Sequence, residues 1–178
     1  MQSAYALLQS KSDDLRKEEK FLFSSIEKLH DLYVLLLHLL VEVRNLEKKH
    51  IEISRKKYLA TSEELNPKKN FIDNRVFTMI EESRVINAFL ESKKLNFWEL
   101  DNEYVTEIWK LIKQSNTYQE YMHENEPGFE KDRQFVIDIY REIVAPNEKL
   151  ADYFEDKNIS WLDDIPYVNT WIVKTLNK

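Results

Sequence analysis

The sequence predicts an all-α fold, a multi-helix bundle with one long central helix. Three observations predict it. The 178 residues include one glycine, Gly128, and four prolines, Pro67, Pro127, Pro146 and Pro166. That is too few breakers for a sheet-rich chain with tight hairpins. Leu22, Ile26, Leu29, Tyr33, Leu36, Leu40 and Val43 follow one another at alternating intervals of four and three residues. Such a seam belongs to a helix packed against partner helices. Further apolar stripes of helical period recur along the chain, separated by turn residues. Hydrophobic residues make up 43% of the chain, enough for a core at this length.

Taken in order, residues 1–9 are helix-compatible, with Ala4, Leu7 and Leu8 apolar. No capping residue precedes them, so the natural N-terminus is expected upstream. Residues 10–14 read as a loop and a new helix start. The longest helical signal runs from residue 15 to about residue 60. Leu35, Leu37 and Leu39 widen its stripe, as expected of a helix buried on several sides. Beyond Val43 the apolar pattern thins to Leu46, Ile51 and Ile53 while lysine and arginine accumulate. This end is expected to project from the bundle, and a break is expected near His30 and Asp31.

Asn66-Pro67 is a turn, because proline drives its predecessor out of helical geometry. Phe71 and Ile72 form an apolar plug, and Asp73 or Asn74 caps the next helix. That helix spans 74–90 through Val76, Phe77, Ile80, Val85, Ile86 and Phe89. Another spans 102–113 through Val105, Ile108, Trp109 and Ile112. Ser115 caps a short helix with Tyr118, Tyr121 and Met122, and Glu126-Pro127-Gly128 is a loop. Residues 129–144 are amphipathic through Phe135, Val136, Ile139, Tyr140 and Ile143. Pro146-Asn147 restarts the chain for 148–154. Asp163 or Asp164 caps the last helix, through Tyr167, Val168, Trp171 and Leu176, with Pro166 in its first turn. The whole reads as one helical domain, 1–178, or as two lobes, 1–65 and 66–178.

Composition excludes several classes of function. There is no cysteine, hence no disulfide, thiolate zinc site or cysteine nucleophile, and the composition fits a reducing cytoplasm. The longest apolar run, 32–41, is ten residues and contains His38. A membrane span needs about twenty, so no membrane partner is expected. The N-terminus lacks the pattern of a signal peptide. The net charge of −6 is unlike that of a dedicated nucleic-acid-binding domain.

Catalytic and metal motifs resolve into structural readings. Glu-x-x-His occurs three times, at Glu27/His30, Glu47/His50 and Glu120/His123. Di-iron bundles use this spacing, but they also need bare carboxylates on two further helices, all facing inward. Glu27 and His30 fall beside the seam, and Glu47 and His50 share a charged tail, so these pairs read as solvated surface. His38, with Glu42 one turn on, reads as a core or groove residue. Asp13-Asp14 and Asp163-Asp164 stand at expected helix starts, where carboxylates cap. No glycine-rich phosphate loop or nucleophile elbow is present. The expectation is a protein with no enzymatic activity, no metal and no cofactor. Trp98, Trp109, Trp161 and Trp171 read as core or interface anchors. Lys48, Lys49, Arg55, Lys56, Lys57, Lys68 and Lys69 would form a basic patch if the end of the long helix meets the 66–70 turn. Otherwise they, like Lys93 and Lys94, decorate solvated surface.

Two segments carry a family resemblance. Residues 66–77, Asn-Pro-Lys-Lys-Asn-Phe-Ile-Asp-Asn-Arg-Val-Phe, resemble the corresponding connection in long, Bacteroidetes-type members of the NusB family of transcription antitermination factors. Residues 1–9, Met-Gln-Ser-Ala-Tyr-Ala-Leu-Leu-Gln, look like the latter part of that family's first helix, with its Gln-x-x-Tyr core. The resemblance extends over essentially the whole chain and implies the N-terminal part of a longer, all-helical protein. It implies binding of boxA-like RNA together with the ribosomal protein NusE in the full-length protein. Gln2 and Tyr5 match the Gln-x-x-Tyr and would contact RNA, where stacking and amide hydrogen bonds suit splayed single-stranded bases. The family's arginine-rich segment and its C-terminal helical half have no counterpart in this sequence, and residues 15–178 look like an expanded, lineage-specific part. The alternative is a helical scaffold or oligomerisation module without nucleic-acid contact, forming a homo-oligomer through the 22–43 surface.

Overall fold

A computed structural model describes residues 15–57, 61–125 and 127–178. It is helical, with no strand among the described residues. The elements are α1 (Leu15–Arg55), α2 (Ser62–Leu65), α3 (Arg75–Glu81), α4 (Arg84–Lys93), α5 (Phe97–Leu100), α6 (Asn102–Gln114) and α7 (Asn116–His123). They are followed by α8 (Phe129–Ile139), which continues through a π turn (Tyr140–Val144), then α9 (Glu148–Lys157) and α10 (Ser160–Leu176).

The 41-residue α1 is the axis, and α10, α6 and α3 pack along it. At 1.5 Å per residue it is about 60 Å long. Between Leu32 and Val43 its apolar side chains are buried on every face, Leu35, Leu39, Leu40 and Val43 completely. This is what an all-round apolar helix requires. Two indoles anchor its neighbours to it. Trp98 Nε1 donates to the Leu35 carbonyl (2.9 Å) and Trp161 Nε1 to the Lys28 carbonyl (2.8 Å). One aromatic layer joins Phe71, Phe77, Tyr118 and Phe135, and another joins Trp98, Tyr153, Phe154 and Trp161.

The segment 66–77 forms a buried polar junction. Asn74 is 1% exposed and Asp132 2%. Asn74 Oδ1 accepts from the Val76 amide (2.9 Å) and so caps α3, while its Nδ2 donates to the Tyr121 hydroxyl (3.0 Å) and the Asp132 carbonyl (3.1 Å). Tyr121 donates to Asp132 Oδ1 (2.6 Å), and the Arg75 amide donates to Asp132 Oδ2 (3.2 Å). Asn70 Nδ2 ties the start of the junction to the carbonyls of Tyr121 (3.0 Å) and Glu124 (2.9 Å). Burial, then the Asp132 hydrogen bond, push the Tyr121 phenol far above its ordinary range, so it stays a donor. The expected plug is present in Phe71, which is buried, with Ile72 half-buried.

Several expectations are corrected. The helix does not break at His30–Asp31. Its cationic end is free only in part: Arg44 and Glu47 are buried and α2 and α6 pack against it, while Lys49, His50, Glu52, Ile53 and Arg55 are exposed. The opposite end is bare as well: Phe21 (60% exposed), Leu22 (42%), Phe23 (58%) and Ile26 (54%) face solvent. The helix over 74–90 is two helices, since Glu82 ends α3 and the Ser83 hydroxyl caps α4. Trp98 sits on α5, a turn that periodicity did not mark. The last helix starts at Ser160, whose amide donates to Asn158 Oδ1 (3.2 Å), so neither Asp163 nor Asp164 caps it. Pro166 therefore lies in the interior of α10, where it has no N–H to offer Leu162. Ser115 caps as its sequence predicts, accepting from the Tyr118 amide (3.1 Å), and Asn147, where the chain was expected to restart, caps α9 by accepting from the Leu150 amide (2.9 Å).

Candidate nucleic-acid interface

The sequence changes character after Val43, from leucine-rich to cationic, and the fold gives that change a location. Arg44 is buried, pairs with Glu81 and donates to Thr78 Oγ1 (3.1 Å), which locks this part of α1 to α3. The Arg44 hydrogen bond holds the Glu81 carboxyl below its ordinary value. One turn on, Glu47 reaches α6. Its carboxylate accepts from Trp109 Nε1 (2.8 Å) and Lys113 Nζ (2.8 Å). Trp109 and Lys113 share a face of α6 because they are four residues apart. Burial works against the Lys113 charge, but the hydrogen bonds and charges of Glu47 and Tyr118 together outweigh it and raise the ammonium pKa.

With Trp109 pinned, His50 stacks on it, the ring centroids 4.5 Å apart and the planes within 6°. Across from this pair lies the segment from Thr61 to Pro67. Glu64 joins it to Lys57, just past the end of α1, accepting from Lys57 Nζ (2.7 Å) and from the Thr61 amide (2.9 Å). The Lys57 hydrogen bond, then the backbone one, lower the Glu64 pKa and keep it ionised. A cavity of about 330 Å³ lies between these walls, lined by His50, Ile51, Ser54, Thr61, Pro67 and Trp109, with Glu64 and Lys113 beside them.

None of the residues nominated for a patch lines this cavity. Pro67 shares it with Ile51 and Ser54, so the end of α1 and the 66–70 connection meet. Lys49, Arg55, Lys56, Lys68 and Lys69 are exposed, Lys48 is half-buried, and Lys57 is paired with Glu64. Lys69 borders a second cleft with Asn70, Asp73, Arg75 and Asp132. From Arg44 to Lys69 there are eight cationic side chains and four carboxylates, a stretch of net +4 in a chain of net −6. Gln2, Tyr5, the helix expected over 1–9 and the Asp13-Asp14 cap lie outside the described residues.

No family model, curated protein or solved structure matches this chain. Its chemistry is therefore read from its own residues. Among the described residues, no helix is long and apolar enough to cross a membrane, and no group of three or more His, Asp or Glu side chains is placed to hold a metal ion. Glu27 pairs with Lys93 (3.3 Å) while His30 meets Phe89 edge-on (4.4 Å). His123 Nδ1 lies 2.6 Å from the Gln119 carbonyl. Glu47, read from sequence as solvated surface, is instead buried and fully engaged. His38 has Nε2 3.6 Å from Glu42, and its Nδ1 is buried without a partner; burial lowers its pKa. An apolar groove of about 360 Å³ runs beneath α4, between α1, α3 and the end of α10.

Proposed function

We propose that this chain is part of a NusB-like transcription antitermination or termination factor, a non-enzymatic component that binds RNA and protein partners in the cytoplasm. Supporting this is the charge segregation, a +4 stretch folded into one end of an acidic bundle, where α1 meets the connection that carries the family resemblance. A local cationic surface attracts a phosphate backbone even when the net charge is negative. In the full-length protein the partners are boxA-like RNA and the ribosomal protein NusE, with Gln2 and Tyr5 adding contacts from the first helix. Fluorescence anisotropy tests the reading. Wild-type chain should bind a boxA-like RNA at low salt, and the double variant R55E/K56E should weaken it and flatten its salt dependence. Equal, salt-insensitive behaviour of both proteins would reject it.

One observation favours a second reading. Phe21, Leu22, Phe23 and Ile26 form an exposed apolar stretch at the other end of α1. Such stretches mark interaction surfaces. A scaffold or self-association role would place the partner there, and sedimentation would show mass rising with concentration and falling back in the variant F23E.

A further inference from the structure

We propose that the cavity between the His50–Trp109 stack and the Thr61–Pro67 segment is a nucleobase subsite for single-stranded RNA. The inference rests on RNA binding by the surrounding cationic surface. It adds where a base goes, which charge alone does not say: phosphate contacts position a protein on its target, whereas base contacts specify it.

Four features of the cavity favour a base over a phosphate. Its wall contains an aromatic platform. Parallel stacking on Trp109 holds the exposed His50 ring at the cavity, and the Glu47 bond to the indole fixes Trp109 in turn. Stacking on such rings is how proteins hold splayed RNA bases. Ile51 and Pro67 supply apolar walls that suit a ring edge. Glu64 borders the space, and Glu47 beside it is already engaged by Trp109 and by the Lys113 cation. The Glu64 carboxylate repels a phosphate, but a carboxylate accepts from exocyclic amino groups of bases. Glu64 is held ionised, so its acceptor capacity persists at neutral pH. Finally, the exposed cations Lys49, Arg55, Lys56 and Lys68 are neighbours in sequence of the lining residues but are not part of the lining, so the charge available to a backbone is separate from the space available to a base. A volume of about 330 Å³ is within the range of small-ligand pockets.

The test compares two fluorescein-labelled oligonucleotides, a mixed-sequence single-stranded RNA and a backbone-matched abasic strand. Each is titrated with wild type, H50A, H50F and R55E/K56E. The expected result is that H50A weakens binding of the RNA by roughly ten-fold, the typical loss of one base stack, and leaves the abasic strand unchanged. H50F keeps an aromatic face and should restore affinity for the RNA. R55E/K56E should weaken both strands. His50 is exposed, so thermal unfolding of H50A should match wild type. Loss of RNA affinity equal to loss of abasic affinity, or no loss in H50A, would overturn the subsite while leaving the cationic surface intact. No binding of either strand by wild type would overturn both the subsite and the proposed function.

Discussion

Replacing Asn74 by alanine removes three hydrogen bonds at once from a site with no access to solvent. The loss can be worked term by term. The cap on the Val76 amide is worth about 1 kcal/mol. The bonds to the Tyr121 hydroxyl and the Asp132 carbonyl are worth about 1 kcal/mol each, since both acceptors stay buried. N74A should therefore destabilise by about 3 kcal/mol, lowering Tm by about 6–12 °C in a domain of this size. N74S retains a capping oxygen and loses the two donors, so about 2 kcal/mol is expected. Because Asn74 and Tyr121 share one bond, the double variant N74A/Y121F should lose less than the sum of the singles. Urea denaturation followed by circular dichroism gives all four values. A loss in N74A below about 0.5 kcal/mol would refute the account of the 66–77 connection as the buried junction between α3, α7 and α8. So would additivity in the double variant.

Leu36 is buried and Leu22 exposed on the same seam, so L36A should cost about 2–5 kcal/mol and L22A well under 1 kcal/mol, read from urea midpoints. Glu47→Ala strips the acceptor from Trp109 and Lys113. Lys113 can rehydrate, so the expected loss is about 2 kcal/mol, less than for a closed buried pair, with a red-shifted tryptophan emission as Trp109 loosens. Burial depresses the His38 pKa below 6.5. The unfolded chain then binds the proton more readily, so His38 costs no stability above pH 6.5 and progressively more as pH falls from 6.5 toward the folded-state value. H38Q should flatten unfolding free energy against pH in that window, and an unchanged slope would contradict the assignment.

The parts of the fold carried by local signals were legible. The buried leucines of α1 from Leu32 on, the Ser115 cap, the restart at Pro146-Asn147 and the Phe71 plug follow from spacing and turn chemistry that neighbouring residues determine. The parts set by distant partners were not. The seam at Leu22 and Ile26 has the same period as at Leu36, and only the placement of the other helices leaves one half bare. Glu47 looks like any surface glutamate until the fold brings up Trp109, 62 residues away. The α3–α4 division was missed because Ser83 interrupts an unbroken apolar period, and serine caps are weaker sequence signals than proline. The start at Ser160, with Asn158 accepting from its amide, was missed because two later aspartates offered stronger candidates. At the site, the cationic residues were visible as clusters. The His50–Trp109 platform was not, since it joins two helices far apart in sequence.

The most direct test of the central claim is the salt dependence of RNA binding by the wild-type chain. Anisotropy of a boxA-like RNA should be followed at several salt concentrations, with and without NusE. The account predicts affinity that falls steeply and linearly on a logarithmic salt scale, with a shallower slope for R55E/K56E. No binding at the lowest salt, together with mass that rises with protein concentration, would contradict it and favour the scaffold reading.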